Sequence, residues 1–501
     1  MVPVGMPPLG LLVFVVGTGS LGAEIAAVRL MSPYFGASTI VWANTIGVVL
    51  VALAIGYWLG GRFADRHPHM RGLCLLALVA AGLLALVPFA GDPLFGAAVG
   101  ALDQVSAGAF LGSLVAVLAL VAVPVLLLGA VTPWALRLAV RGVEEAGTVA
   151  GRLYALSTAG SLVGTLLSAL VLIPLVGTRR TFLFFALAIA LTAAPGLLPN
   201  RRQGLLPLAI ALLAVLPVGT LKASAQGRVI HERETEYQYA RVVERVDGTR
   251  ALELNEGQAQ HSVYDPQTVL TDDVWDGHLV LGFAGRSAAP GRVAILGNAA
   301  GTTARAYEHF FPATSIDGVE IDAELSEIGR RYFDMTNPRL RLYHEDARPF
   351  LRRTDTRYDV ISVDAYRQPY IPFYLATREF FELARDRLAP GGVLIVNAGH
   401  PEDQDDLEKV LTATMREAFP HVLRDPIEPT NTLLVASRSP LSAARLRREA
   451  ERLPRALRST ALQAANRLGP PLEGGRVYTD DRAPVEWLID RSIVEYAAGE
   501  D

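Results

Sequence analysis

Carboxylates in the second half of the chain recur at the ends of short apolar runs, where a parallel sheet would present them to a ligand. Val293–Leu296 is followed at once by Gly297-Asn298-Ala299-Ala300-Gly301 and a helical stretch, Ala304 to Phe311. A strand, a glycine turn and a helix in that order let backbone approach a ligand at the carboxyl edge of the sheet. The next run, Ser315–Ile321, carries Glu320 near its tip and Asp322 just beyond. An acid there, roughly 20 residues past the glycine turn, is placed to accept hydrogen bonds from ribose hydroxyls. Asp322 itself reads as a helix cap, because an aspartate before a helix satisfies free backbone donors. Glu345-Asp346-Ala347 follows Leu340–Leu342, and Asp364 ends Tyr358–Val363. The edge therefore reads as a nucleoside-binding site with further carboxylates at strand ends along it.

The elements that must hold these groups alternate. Short strands over Gln238–Val246 and Arg250–Asn255 belong to a small β-rich lead-in. After Asp364 the chain predicts a helix over Thr377–Leu388, a turn at Pro390-Gly391-Gly392 and a strand over Val393–Asn397. The layout is that of a Rossmann-like transferase, with another kind of nucleotide-binding domain as the alternative. His261, His344 and His400 are scattered without metal-ligand spacing, so no catalytic metal is expected.

The first half differs in kind. The 501 residues have a mean hydropathy of +0.31 and are 51% hydrophobic, yet residues 1–222 carry 18 of the charges and the remainder 78. The net charge of −4 divides into +6 and −10, which leaves no basic footprint on the second half for nucleic acid. The single cysteine, Cys74, excludes an internal disulfide. Apolar windows near 9–30, 39–60, 72–91, 106–131, 153–176, 181–198 and 204–221 predict about seven membrane-spanning helices. Pro124 and Pro133 should kink or end the fourth, and Gly160, Gly164 and Ser168 recur at helix-packing spacing. Glu24, the one acid well inside a window, is expected to make a polar contact between helices, or else to stand beside a substrate or proton path. The stretch from Gly60 through Arg66 to Arg71 reads as a basic loop similar to that of major-facilitator transporters. Domains are expected at 1–222 (membrane), 223–290 (small β-rich subdomain) and 291–501 (catalytic). With seven spans, the arginine-rich loops would put the amino terminus inside and the second half outside; a non-spanning 204–221 returns it to the cytoplasm.

Several motifs together resemble the spermidine synthase family of aminopropyltransferases. They are Glu236-Tyr237-Gln238-Tyr239, the run Leu254 to Gln260, the glycine turn, Val319-Glu320-Ile321-Asp322, Glu345-Asp346-Ala347, Val363-Asp364-Ala365-Tyr366, Ile371-Pro372, Leu375 to Phe381 and Thr479 to Glu486. The whole chain is similar to bacterial membrane proteins in which a multi-helix segment is fused to such a domain. The resemblance implies a helical integral membrane domain followed by an α/β Rossmann-like, S-adenosylmethionine-dependent transferase domain with a small N-terminal β-subdomain. It implies that Glu320 holds the ribose, that Asp346 and Ala347 meet the adenine, and that Gly297, Asn298 and Gly301 pack on the donor's tail. Gln238 and Gln260 would line the donor pocket, and Asp364 would orient and deprotonate the attacking amine. Tyr237, Tyr366 and Arg367 would border the acceptor.

Two positions depart from the family. The acid of its glycine turn is Ala300 here, and the second acid, three residues after the catalytic one, is Arg367. Both changes disfavour a multiply charged amine by Coulomb repulsion; Asp272, Asp273 and Asp276 are candidates to restore the charge. Three readings stay open. The first is a membrane-bound aminopropyltransferase of polyamine biosynthesis using decarboxylated S-adenosylmethionine. The second is a methyltransferase using S-adenosylmethionine. The third is a polyamine-related transporter or sensor with a non-catalytic nucleoside-binding domain. The expected partners are a small-molecule amine, a lipid bilayer and a second copy of the chain, and the expected location is the bacterial inner membrane with the second half in the cytoplasm.

Overall fold

The computed structural model describes residues 8–35, 39–102, 108–197, 205–215, 224, 226–255, 260–366 and 371–489. The chain divides into two compact units, Met1–Lys222 and Ala223–Asp501.

The first unit is helical: α1 (Leu9–Phe35), α2 (Thr39–Arg66), α3 (Met70–Leu102), α4 (Gly108–Leu120), α5 (Ala122–Gly129), α6 (Val131–Ala139), α7 (Val143–Leu167), α8 (Ile173–Val176), α9 (Thr178–Ala193) and α10 (Leu205–Val215). Among the described residues six helices are long and apolar enough to cross a membrane. The expected seventh segment, 204–221, holds the 11-residue α10, which rises only about 16 Å, half a hydrocarbon core; residues 216–221 lie outside the described residues. The fourth expected span is broken before each proline. Pro124 and Pro133 fall in the first turns of α5 and α6, where a missing N–H leaves no helical carbonyl unpaired inside the new helix. The anticipated loop from Gly60 is instead the end of α2, which runs to Arg66. Gly60 is a packing residue, since a Cβ there would lie 2.5 Å from Ala130 Cα. Gly160 and Gly164 sit against the backbone of Phe14 and Thr18, and Ser168 Oγ donates to Gly22 O at 3.0 Å, so the small-residue stripe is where α7 meets α1.

The second unit opens with a four-stranded antiparallel sheet, β1 (Arg228–Glu234), β2 (Tyr239–Glu244), β3 (Arg250–Leu254) and β4 (Gln260–Tyr264). A short helix, α11 (Val274–Val280), leads into the alternating part: β5 (Arg292–Leu296), α12 (Thr302–Phe310), β6 (Ser315–Val319), α13 (Ala323–Tyr332), β7 (Leu340–Tyr343), α14 (Ala347–Arg353), β8 (Tyr358–Val363), α15 (Arg378–Asp386) and β9 (Leu388–Gly399). Then come α16 (Asp406–Ala418), β10 (His421–Glu428), β11 (Asn431–Ser437), α17 (Ala443–Ala450) and α18 (Arg455–Arg467). The large sheet has the order β10-β11-β9-β8-β5-β6-β7. Its five strands from β9 to β7 are parallel, and β10 and β11 antiparallel. The chain leaves β5 toward β6 and β7 and returns on the other side at β8, so the β5/β8 boundary is the switch point at which such sheets open a crevice.

The expected turn at 390–392 is inside β9. The ladder passes from Tyr358↔Leu388 to Val360↔Val393, so the extra residues bulge out, with Gly391 at φ 72°. The strand therefore begins five residues before Val393. The small sheet packs on the large domain through Ala240, Val242, Leu252 and Leu254 against Leu325, Ile328 and Phe333, which holds Gln238 and Gln260 over the carboxyl edge of β6.

Candidate active site

A cavity of about 600 Å³ occupies that edge. Each strand tip that enters it is pinned by its neighbour: Gly297 and Asn298 N–H donate to Val319 O, Glu320 N–H to Tyr343 O, and Asp364 N–H to Leu296 O at 2.9 Å. Gly297 has φ 90°, and a Cβ there would lie 2.3 Å from Asp364 O. The glycine thus lets the turn after β5 and the tip of β8 run in contact, which puts the glycine turn and Asp364 on one wall.

Glu320 is 6% exposed, with Oε2 accepting from Ala299 N–H at 2.8 Å and Oε1 from Asp322 N–H at 3.0 Å. Burial pushes its carboxyl up to about 7 against those two hydrogen bonds. Each oxygen keeps a lone pair, so hydroxyls of a bound ribose can still donate to it. Asp322 caps α13 through Glu324 N–H and also accepts from Thr235 and, at 3.4 Å, from the Gln238 amide. The cap expected from sequence therefore also anchors the small sheet. Asp346 accepts from Arg348 N–H at 2.8 Å and from the Tyr374 hydroxyl at 2.6 Å. It is a cap and a clamp on the 371–375 segment, with Ala347 beside it on the wall. Behind it the Arg348 guanidinium makes two bonds to Asp480, at 2.7 and 2.5 Å, and Asp480 also accepts from Thr377. The Thr479–Arg482 turn thus holds the Asp346 side of the cavity from outside.

At the other end, where Trp275 lines the same cavity, Asp364 accepts from the Asn397 amide at 2.9 Å. Burial pushes its carboxyl up to about 6, and Asp273 adds to the shift. Glu428, beside Asn431, is likewise raised by burial and by Asp273. Asp273 is raised by its own burial. Three carboxylates on three different elements, Asp273, Asp364 and Glu428, therefore share one end of the cavity. Tyr366 walls this end, its hydroxyl donating to Asn397 O at 2.9 Å and accepting from Gly399 N–H at 2.6 Å. Among the described residues no three His, Cys, Asp or Glu side chains converge as a metal site would require.

Gln238, Gln260, Gly297, Glu320, Asp346, Ala347, Asp364, Tyr237 and Tyr366 all line the cavity. Asn298 and Gly301 do not. The Asn298 amide points at Met335 Sδ, 3.4 Å away, and Gly301, at φ 90°, leaves room for that same methionine; both shape the turn from behind. Arg367 lies outside the described residues, as do residues 256–259 of the Leu254 to Gln260 motif. Ala300 is fully buried with its N–H on Ser262 Oγ, away from the cavity wall. Of the three candidate replacement acids, Asp273 lines the cavity, while Asp276 is used by Thr271 and Asp272 N–H.

Residues 277–434 match the family model described as spermine/spermidine synthase domain. Over that stretch the chain is similar to the spermine/spermidine synthase family. A probable polyamine aminopropyl transferase of Bifidobacterium longum is 30% identical over 226 residues, 41% of this chain and 50% of that protein. The chain thus spans about half the length of this relative. A polyamine aminopropyltransferase of Vibrio vulnificus is 29% identical over 285 residues, 52% of this chain and 92% of that protein. Among solved structures, a probable spermidine synthase from Corynebacterium glutamicum is 26% identical and covers 50% of this chain and 98% of its own, with a TM-score of 0.38.

Sequence reading missed Trp275, Tyr374, Asn397 and Glu428. Asn397 was within reach, because a polar residue at the carboxyl tip of an apolar strand is the same signal that marked Asp364. Glu428 ends an antiparallel strand at the sheet margin, and Trp275 sits on a short helix outside the alternating pattern, so neither carried a local mark.

Proposed function

We propose that the protein is a membrane-bound aminopropyltransferase that moves an aminopropyl group from decarboxylated S-adenosylmethionine to a small amine. The observation that carries this reading is the division of one cavity into a nucleoside end built on Glu320 and Asp346 and an acidic end built on Asp364, Asp273 and Glu428. The donor supplies a sulfonium whose adjacent carbon takes the amine lone pair while the C–S bond breaks and its electrons stay on sulfur. Glu320 receives the ribose hydroxyls, and Asp346 with Ala347 and Tyr374 borders the adenine. The acidic end attracts the cationic acceptor. Asp364 takes the proton an amine must lose before it can attack. An acid near 6 is mostly ionised at neutral pH and remains basic enough to accept that proton. Asp273 and Glu428 supply charge that the family places elsewhere.

The six spans found among the described residues, rather than seven, would bring the arginine-rich loops, the amino terminus and the second unit to one side. Arg62, Arg66, Arg71, Arg137, Arg141 and Arg152 then mark that side as cytoplasmic against Arg29, Arg179 and Arg180. That is the side on which adenosyl donors are made.

Ala300 supports a second reading, methyl transfer from intact S-adenosylmethionine. With alanine rather than an acid at 300, the glycine turn places no negative charge near the donor's tail, which favours a carboxylate-bearing tail. The deciding experiment incubates the purified full chain with a diamine and each donor in turn. Methylthioadenosine and an aminopropylated amine from the decarboxylated donor support the first reading. S-adenosylhomocysteine from the intact donor supports the second, and turnover of neither refutes both.

A further inference from the structure

Among the described residues Glu24 has no hydrogen-bond or ion-pair partner, where a contact between helices was expected. Its side chain is 7% exposed. The polar contacts between α1 and α7 are made by others, Ser168 to Gly22 O and Ser161 to Gly17 O. Ser20 precedes Glu24 by four residues, so the two side chains share one face of α1. Ser20 is 4% exposed, and its hydroxyl too lacks a hydrogen-bond partner among the described residues. Two unpartnered polar side chains one turn apart are thus buried in the interior of the helical unit. Beside them, α7 departs from α-helical pairing in a π turn at Ser168–Leu172, a distortion that recurs at functional positions in helices.

The charges on the helices that pack against α1 lie elsewhere. Arg29 is about 140° round α1 from Glu24. Arg62, Asp65 and Arg66 end α2, and Arg71 begins α3. Asp92 of α3 follows Gly91, which meets Leu30, more than a turn beyond Glu24. Arg137 is in the last turn of α6 and pairs with Asp65. On α7, Glu144, Glu145 and Arg152 precede Leu156, which is level with Gly10. Arg179 of α9 stacks on Phe89, with Arg180 next to it in the first turn.

We infer that Glu24 and Ser20 form a proton-binding site within the helical unit. An ionised carboxylate isolated among apolar side chains is costly, whereas a protonated one needs only a nearby hydroxyl to share its hydrogen. Ser20 is that hydroxyl, reached by a change of rotamer within one helical turn. The unit then holds an exchangeable proton in its apolar interior and does more than anchor the chain.

The test uses the full chain in lipid vesicles. Dicyclohexylcarbodiimide, an apolar reagent that modifies protonated carboxyls, is applied at neutral pH and the peptide holding residue 24 is read by mass spectrometry. Infrared spectra of the same sample report the acid C=O band. The site predicts label on Glu24, loss of one acid band in Glu24→Gln, and a shift of that band in Ser20→Ala. No label on Glu24, or an acid band unaltered in a folded Glu24→Gln, overturns it. Should Glu24→Gln fail to fold, labelling of the unsubstituted protein decides the matter in the same two directions.

Discussion

Asparagine at position 364 would separate the charge of that side chain from its shape. Asp364 accepts from the Asn397 amide at 2.9 Å, and an asparagine oxygen can accept the same bond, so the wall between Trp275 and Tyr366 keeps its form. What disappears is the proposed proton acceptor and one of the three carboxyl groups at that end of the cavity. A positioned base contributes about 10²–10⁴-fold, so kcat/KM is expected to fall by that factor, about 3–5 kcal/mol of barrier. The pH profile supplies an independent check. With the carboxyl at about 6, the ionised fraction of the free enzyme is about nine-tenths at pH 7, one-half at pH 6 and one-tenth at pH 5. The rate with the unsubstituted protein should therefore fall with acid through pH 6 and approach a slope of one. A bound sulfonium favours the carboxylate, which moves the corresponding limb of kcat to lower pH than that of kcat/KM. The assay is release of methylthioadenosine, resolved by chromatography, with calorimetric donor binding as the control for folding. An Asp364→Asn protein that binds donor normally and keeps more than about a tenth of the activity, or whose acid limb is unchanged, would refute the assignment of Asp364 as base.

Glu320→Gln turns an amide –NH2 toward either the Ala299 or the Asp322 N–H donor and removes the carboxylate proposed to receive the ribose; methylthioadenosine binding should weaken about 10–100-fold by calorimetry, as for loss of a hydrogen bond to a charged group. A change under about threefold would take Glu320 out of the nucleoside site. Asp480→Asn breaks the paired bonds to the nearly buried Arg348, and because Asp480 is 44% exposed the loss is expected to be about 1–2 kcal/mol in denaturant unfolding. Since Arg348 and Asp480 brace Asp346 and Tyr374, the donor KM should rise more than kcat falls; a change confined to kcat would contradict that bracing role. Ser459→Cys puts an exposed thiol on α18, and the one native cysteine, Cys74, is buried. An impermeant maleimide should label it in inverted vesicles and not in intact spheroplasts, and the reverse pattern would disprove the six-span topology.

Local signals reached far into this protein because each rests on short-range physics. The tips of β5, β6 and β8 were legible as apolar runs ending in a glycine or an acid, and Asp322 as a cap, since strand length, turn and capping preferences are set within a few residues. The Pro-Gly-Gly turn failed for a matching reason. Pairing with β8 from Leu388 onward outweighs the local preference of residues 390–392, and the ladder absorbs them as a bulge. Gly60 was assigned to a loop because nothing in its neighbourhood reveals the Ala130 backbone lying against it.

By itself the sequence determined that an oily helical half precedes an α/β half and which carboxylates stand on the edge of its sheet, because hydropathy and strand-end chemistry are written residue by residue. Only the tertiary structure decided that Asp273 and Glu428 join Asp364, that Asn298 and Gly301 turn toward Met335, and that Glu24 and Ser20 are buried with no partner among the described residues. Those facts depend on which segments meet, and contacts between residues dozens of positions apart leave no mark in the spacing of either one.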